Sequence, residues 1–433
     1  MTSARSYIFS LGFMCVAART ASAQEQAHVL ELDEAIKAAT EHAPELRQAA
    51  AVTDAARARI GSARAPLLPQ VAGTVSYARG TYNGRTNLDG TLEVTANTRD
   101  NFSAGLRVTQ LIWDFGQVWN QKEAAKENAH VQEQNQHVTE LEITYNVRSA
   151  FLTAGANKAL VDVARATLGN QERHRAQIQG FVEVGTRPPI DLAQARTDVA
   201  NAKLALIRAE NNYASAKAEL SRSMGTPQRN DFEVSSALPG AEDSETASLE
   251  ALVGVAEHQR PEFAAMRAQL NAQQATLRSI RGQYGPALNA TASGDYSGFD
   301  MSKLAPNFSL GVALNWPIFQ GGLTNSRMEE GHAIVRQLEA QLDTLRQDLR
   351  VALTQAELSI GAAQAALVAA DELVELAKER LTLAEGRYQT GVGNTIELGD
   401  AELALRDAQT QRVSAQYDLA TARTILHRTL GRP

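Results

Sequence analysis

Apolar and polar positions in this chain follow two kinds of pattern, and each pattern occurs twice. The first is period-two alternation. Phe308, Leu310, Val312, Leu314 and Trp316 alternate with Asn307, Ser309, Gly311, Ala313 and Asn315. An earlier stretch sets Phe102, Ala104, Leu106 and Val108 against Ser103, Gly105, Arg107 and Thr109. Side chains of a strand point to alternate faces, so both stretches predict strands with one apolar face and one small, polar face. Weaker alternation at Val71, Val75 and Tyr77, and at Leu288, Ala290 and Tyr296, predicts a partner strand before each, across polar loops at 83–99 and 297–306. Such strands suit a membrane barrel, apolar outside and wet inside. The same alternation also describes a hairpin on a soluble core.

The second pattern is helical. Each clear strand ends in an aromatic and glycine segment, Leu111-Ile112-Trp113-Asp114-Phe115-Gly116 or Trp316-Pro317-Ile318-Phe319-Gln320-Gly321-Gly322. Aromatics suit a membrane–water boundary, and glycines suit a sharp handover from strand to helix. Beyond them, 117–180 and 324–386 contain no proline. At 1.5 Å per residue each helix would span roughly 95 Å. Leu338, Leu342, Leu345 and Leu349 have the spacing of a coiled-coil seam. Shorter returning helices are expected over 190–224 and 396–430, and earlier ones over 32–63 and 249–281, the last two broken at Pro44 and Pro261.

The turns between the long and returning helices carry the sharpest signal. FVEVGTRPPIDL at Phe181–Leu192 recurs in changed form as RYQTGVGNTIEL at Arg387–Leu398, 206 residues later. Gly185 matches Gly391, Ile190 matches Ile396, Leu192 matches Leu398, and Asp191 faces Glu397. From Phe181 to Gly225, 11 of 45 positions are identical at that spacing without a gap. The chain therefore divides into a leader at 1–23, one repeat at 24–225, a connection at 226–248 expected on the outside, and a second repeat at 249–431.

Composition narrows the class. Aromatics make up 5% of the chain, as in extended helical proteins, and the formal charge of −7 comes with no clustered Lys and Arg to engage nucleic acid. Arg5, an apolar run from 7 to 18 and Ala21-Ser22-Ala23 read as a secretory signal peptide cut after Ala23. Cys15, the single cysteine, leaves with it, so neither disulfides nor a lipid anchor through cysteine are expected. No later run of 18 consecutive apolar residues follows, which predicts no transmembrane helix. The histidines are scattered; His130 and His137 are more plausibly solvated than metal-binding. Phosphate loops, H-E-x-x-H and G-x-S-x-G are missing, so no enzyme, cofactor or metal is expected.

Signal peptide, duplicated strand–strand–helix units and the paired V-G-T-R-x-x-I-D and Y-x-x-G-x-x-x-x-I-E turns together resemble the TolC family of outer-membrane efflux proteins. The resemblance implies a mixed α/β membrane protein of the Gram-negative outer membrane, a homotrimer. It further implies a 12-stranded β-barrel, four strands per chain, continuing into a long periplasmic α-helical coiled-coil barrel. It implies a passive channel-tunnel serving tripartite efflux or type I secretion. A periplasmic adaptor (membrane fusion protein) and an inner-membrane pump of RND, ABC or MFS type would be its partners. Val182 and Glu397 depart from the family's usual aromatic and aspartate. The alternative from another class is a soluble periplasmic coiled-coil adaptor or scaffold.

Symmetry would turn each tip residue into a ring. Asp191, Glu397 and Asp400 are the candidate carboxylates of a periplasmic aperture, Arg187 their nearest basic partner, and Tyr388 a candidate for a closing hydrogen bond. Both Asp191 and Glu397 also fall where acids favour a helix start, with Pro189 at a first helical position and Asn394 spaced for a capping box. Gly185, Thr186, Gly391 and Val392 are the candidate adaptor contacts. Phe102, Leu106, Val108, Phe308, Leu310, Val312, Leu314 and Trp316 are the candidate lipid-facing residues.

Overall fold

The computed structural model describes residues 28–82, 85–86, 90–93, 97–227, 231–238, 240, 245 and 247–432. The expected leader and its cleavage site lie outside the described residues, as do parts of the 83–99 loop and of the 226–248 connection. Strand β1 (His28–Leu30) leads into α1 (Leu32–His42), α2 (Pro44–Arg64) and β2 (Gln70–Tyr82). A small hairpin of β3 (Arg85–Thr86) and β4 (Leu92–Glu93) precedes β5 (Asn97–Trp113). Next come α3 (Gln117–Glu183), α4 (Pro189–Ser223) and β6 (Phe232–Val234). The same order then returns as α5 (Leu249–Gln259), α6 (Pro261–Gly282), β7 (Ala287–Gly298), β8 (Ala305–Asn315), α7 (Leu323–Gln389) and α8 (Thr395–Leu430). Helices α3 and α7 each run 67 residues, about 100 Å at the α-helical rise.

The principal sheet is antiparallel in the order β2-β5-β7-β8, leaving β2 and β8 as open edges. Its register is what makes the sequence alternation matter. Val71, Gly73, Val75 and Tyr77 pair with Val108, Leu106, Ala104 and Phe102; these adjoin Ala292, Gly294, Tyr296 and Gly298. Leu288, Ala290, Ala292 and Gly294 in turn pair with Leu314, Val312, Leu310 and Phe308. Because facing residues share a side, one face is apolar across all four strands. The Phe308 ring covers Gly294, where an added Cβ would sit 3.1 Å from it. The opposite face is joined by hydroxyls, with Ser76 to Ser103 and Ser293 to Ser309 each at 2.7 Å.

The helices keep the lateral order of the strands they continue. Near the sheet α2 packs on α3, α3 on α6 and α6 on α7; farther away α4 packs on α3, α3 on α8 and α8 on α7. Thus α4 lies in line with α2, and α8 with α6. At the first joint Gly225, after α4, abuts His42 and Ala43; at the second Gly431, after α8, abuts Arg260. Apolar pads fill both joints: Ala35, Ala39, Phe151, Met224 and Phe232 at one, Leu252, Ala256, Phe263, Leu353 and Leu430 at the other.

Two features add to the sequence reading. The connection, expected on the outside, contains one short strand, β6, which pairs in parallel with β1 and buries Phe232 and Val234. Lys158 closes this strand by donating to the Val234 carbonyl at 2.6 Å. Also, one stretch of α7 is apolar enough to pass as a bilayer-crossing helix, with mean hydropathy 1.3 over an 18-residue window. Only 17% of that window is buried, because α7 carries two apolar stripes. One is the seam Leu349, Leu353, Ala356, Ile360, Ala370, Val374, Ala377, Ala384, which packs within the chain. The other, with Val351, Leu358, Leu376 and Leu383, is exposed.

Candidate functional site

The end of the helical wall farthest from the sheet is built from two turns. After α3, Thr186 N–H reaches back to the Phe181 carbonyl (2.9 Å) and Gly185 N–H to Val182 (3.0 Å), with Gly185 at φ +78°. After α7, Val392 N–H bonds to the Arg387 carbonyl (3.0 Å) and Gly391 N–H to Tyr388 (3.2 Å), with Gly391 at φ +81°. These bonds satisfy the last carbonyls of each long helix and reverse the chain. The returning helices start as their sequences ask. Pro189 occupies the first position of α4, and the Asn394 side chain accepts the Glu397 N–H at 2.7 Å. The capping box stays half-formed, since the Glu397 carboxylate turns to Arg387 at 3.1 Å.

The sequence reading made Arg187 the nearest basic partner of the mouth acids, but among the described residues it pairs with no carboxylate. It donates to the carbonyls of Tyr388 (3.0 Å) and Gly393 (3.3 Å), with its guanidinium 4.4 Å from the Tyr388 ring centre. The reason is local: a carbonyl has two lone pairs, so Tyr388 at the end of α7 can accept a second donor; the Gly393 carbonyl in the turn lies within the same reach, and an aromatic face lies beside them. Arg187 is thereby a clasp from one hairpin to the other within a single chain.

Tyr388 is also displaced from its expected role. It is 2% exposed, packed with Ile178, Ala195, Ala384, Leu398 and Ala401, and its hydroxyl has no hydrogen-bond partner among the described residues. Its ring lies 5.4 Å from that of His174 and 6.4 Å from that of Phe181. The tyrosine is a core residue of the tip. Sequence could have shown this, because Tyr388 continues the three- and four-residue steps of the α7 seam.

Asp191 is half-buried and pairs with no cation among the described residues. Asp400 lines a cleft of about 600 Å³ floored by α3 between α4 and α8. Two acids that sequence reading missed, Asp198 and Glu402, line it too. Asp198 stands one heptad after Asp191, which was the available signal. Gln171 on α3 donates to Glu402 on α8 at 2.7 Å and so ties the hairpins together. Burial raises the Glu402 carboxyl above its ordinary range, and Asp198 and Glu385 add to that rise while Gln171 opposes it. Burial lowers His174, with Asp198 opposing.

At the outermost surface Gly185, Thr186, Gly391 and Val392 are all exposed, and an added Cβ on either glycine would meet open space. Val184, Ile190 and Ile396 join them, each 69–72% exposed, and were not among the adaptor contacts read from sequence. At the other end, Leu106 and the alternating Phe308, Leu310, Val312, Leu314 and Trp316 are exposed; Phe102 and Val108 share their face but are half-covered by neighbours. Among the described residues no group of three or more His, Cys, Asp or Glu is arranged to hold a metal.

Comparison with known proteins agrees with this architecture. The sequence pattern of the family described as outer membrane efflux protein matches residues 35–226 and 252–432. The chain is 26% identical over 400 residues to the probable efflux pump outer membrane protein TtgC of Pseudomonas putida, covering 89% of this chain and 80% of that one. It is 25% identical over 410 residues to the outer membrane protein TolC of Escherichia coli, covering 90% and 79%. Among solved structures, a membrane protein from Pseudomonas aeruginosa superposes with TM-score 0.81 at 20% identity, covering 94% of this chain and 92% of the other. The outer membrane protein VceC of Vibrio cholerae gives 0.80 at 19% identity, covering 93% and 96%. A sheet with one lipid-compatible face, a helical wall in strand order and a family match over both repeats converge: the chain belongs to the outer membrane efflux protein family and is an efflux channel of the Gram-negative outer membrane.

Proposed function

We propose that copies of this chain close edge to edge, β2 of one against β8 of the next, into a single tube, and that three copies do so. The observation that carries this is a sheet with a continuous apolar face and two unpaired edges. Edge N–H and C=O groups cannot stay unpaired in hydrocarbon, and four strands are too few to close alone. The exposed stripe of α7 needs a neighbour for the same reason. The tube is a passive duct: cargo is driven by an inner-membrane pump through a periplasmic adaptor. The relatives named as efflux pump components support that division of labour. The adaptor meets the tips at Gly185, Thr186, Gly391 and Val392, extended by the exposed Val184, Ile190 and Ile396. A soluble adaptor would instead leave Phe308, Leu310 and Val312 in water.

Cysteine pairs placed along β2 and β8 test closure, because the only native cysteine, Cys15, belongs to the expected leader. Oxidation should give a covalent ladder ending at three chains. If every pair across the two strands leaves only single chains, the tube is wrong.

The resting tip is held closed in this reading by the Arg187 clasp, with Asp191, Glu397 and Asp400 forming the negatively charged mouth. Arg187→Ala should loosen the tip by about 2 kcal/mol, the worth of a hydrogen bond to a charged donor, and raise single-channel conductance in planar bilayers. Tyr388→Phe should leave conductance unchanged, since the hydroxyl it removes has no hydrogen-bond partner among the described residues. An unchanged Arg187→Ala channel would remove the clasp from the account.

The tip should also respond to pH through two opposed groups. His174 is lowered in the closed tip, so its contribution to closure is full above its ordinary value of 6.5 and is lost as pH falls through the lowered one. Glu402 is raised, so its contribution is full below 4.5 and is lost as pH rises through the raised value. Between pH 7 and 5 the Glu402→Gln channel should therefore open on acidification, and the His174→Asn channel should close. Bilayer conductance of the two variants reads the opposite slopes directly.

A further inference from the structure

The three tryptophans of the chain all lie at the base of the sheet: Trp113 ends β5, Trp316 follows β8 and Trp119 is in the first turn of α3. They are 50%, 57% and 55% exposed. With the exposed Tyr284 and Phe319 they mark the level where hydrocarbon gives way to headgroups. Five cations share that level. Arg64 is in the last turn of α2, Arg278 and Arg281 close α6, and Lys122 and Arg327 follow within two turns of the starts of α3 and α7. The four arginines are exposed, and the Lys122 ammonium lies 4.2 Å from the Trp119 ring centre.

The carboxylates at this level offer Lys122 a partner but leave the four arginines without an anionic partner among the described residues. Asp114 is engaged by the N–H groups of Gly116 (3.1 Å) and Val118 (2.7 Å), and Glu123 faces Lys122 at 3.5 Å. Glu329 and Glu330 follow Arg327 in sequence without pairing with it. Among the described residues none of the four arginines forms an ion pair; Arg278 donates to Asn120 (3.2 Å) and Arg327 to Gln283 (3.1 Å), both neutral amides. Helix electrostatics explains Arg64 and Arg281, which sit at C-terminal ends. It does not explain Lys122 and Arg327, which stand near helix starts where cations are disfavoured and where neither first turn holds an acid. A cationic belt on a chain of net charge −7 asks for an anionic neighbour.

We propose that this belt binds the headgroup phosphates of anionic glycerophospholipids in the periplasmic leaflet and fixes the depth of the sheet in the membrane. The proposal rests on the membrane tube described above. Guanidinium groups without carboxylate partners take phosphate, and the tryptophan rings occupy the interfacial layer beside it.

Because every tryptophan is in the belt, intrinsic fluorescence reports on it alone. The full-length protein is reconstituted in phosphatidylcholine bilayers, and quenching by brominated phosphatidylglycerol is compared with quenching by brominated phosphatidylcholine. The anionic lipid should occupy the belt roughly fivefold more tightly, and the preference should shrink in 1 M salt. Arg64→Gln with Arg281→Gln and Arg327→Gln should bring the two lipids to parity, while Arg380→Gln, far along α7, should not. Should the triple variant fail to insert, Arg327→Gln alone should still reduce the preference. Equal quenching by both lipids in the unmodified protein overturns the proposal but leaves the tube standing. A preference that survives in the variants overturns the assignment to these arginines. No quenching by either lipid overturns the membrane reading itself.

Discussion

Leu310→Arg should prevent stable insertion of the channel. Leu310 is 86% exposed and faces Ala292, which pairs with Val108, itself paired with Val71, so it stands in the middle of the apolar face, between the row of Phe308 and the row of Leu314. An arginine at the midplane of a barrel's lipid face costs about 2–4 kcal/mol. Every copy in the tube carries the substitution, so a closed assembly pays that cost several times over, which is comparable to the whole stability of a small domain. Ser309→Arg, one residue away, points to the hydroxyl-lined face and should insert normally. The measurement is the fraction of each variant recovered from outer membrane as a heat-resistant oligomer. Equal recovery of the two would mean that the apolar face does not meet lipid.

The contrast between Leu310 and Ser309 was readable from sequence because strand geometry converts position directly into direction. Period two needs no knowledge of the neighbours, and the pairing register only extended the face from one strand to four. The long helices were equally legible, since proline-free heptads fix both length and seam. What escaped was whatever depends on meeting between segments far apart in sequence. Arg187 and Tyr388 are 201 residues apart, and nothing local reveals that a turn arginine finds a carbonyl rather than the acid four residues on. Asp191, Glu397 and Asp400 were chosen as one mouth, but within a single chain Asp191 pairs with no cation among the described residues, Glu397 meets Arg387 and Asp400 lines a cleft. Whether they meet is a property of the assembled ring, and no pattern along one chain encodes the spacing between copies. The strand β6 was missed for a related reason: three residues carry too little periodicity to be seen until β1 supplies the partner.

Gly225→Ala and Gly431→Ala should each break the wall at a joint, although alanine is the mildest substitution available. Both glycines end returning helices in the left-handed region, at φ +71° and +76°, where an L side chain costs about 1–2 kcal/mol. Conformation is the smaller part. A Cβ on Gly225 would lie 2.8 Å from the His42 carbonyl carbon and 3.0 Å from the Ala43 nitrogen; on Gly431 it would lie 3.0 Å from Arg260 Cα. These are backbone atoms at the entry to α2 and α6, so nothing flexible can yield, and overpacking of this kind costs a further ~1–3 kcal/mol. The joint is where α4 meets α2 and α8 meets α6 end to end, and it keeps sheet and tip in one continuous wall. Pushing the helices apart there strips cover from Met224 and Leu430, both buried in the adjoining pads. Gly185→Ala should separate the two effects, since its φ is +78° but open space surrounds it, leaving the conformational cost alone. Gly254→Ala, inside α5 with nothing near, should be neutral or stabilise by about 0.5–1 kcal/mol. The dissociation temperature of the assembled channel orders the four variants, with Gly225→Ala and Gly431→Ala lowest, Gly185→Ala between and Gly254→Ala highest. If Gly225→Ala melts with Gly185→Ala, the end-to-end contact contributes nothing, and the wall owes its continuity to lateral packing on α3 and α7.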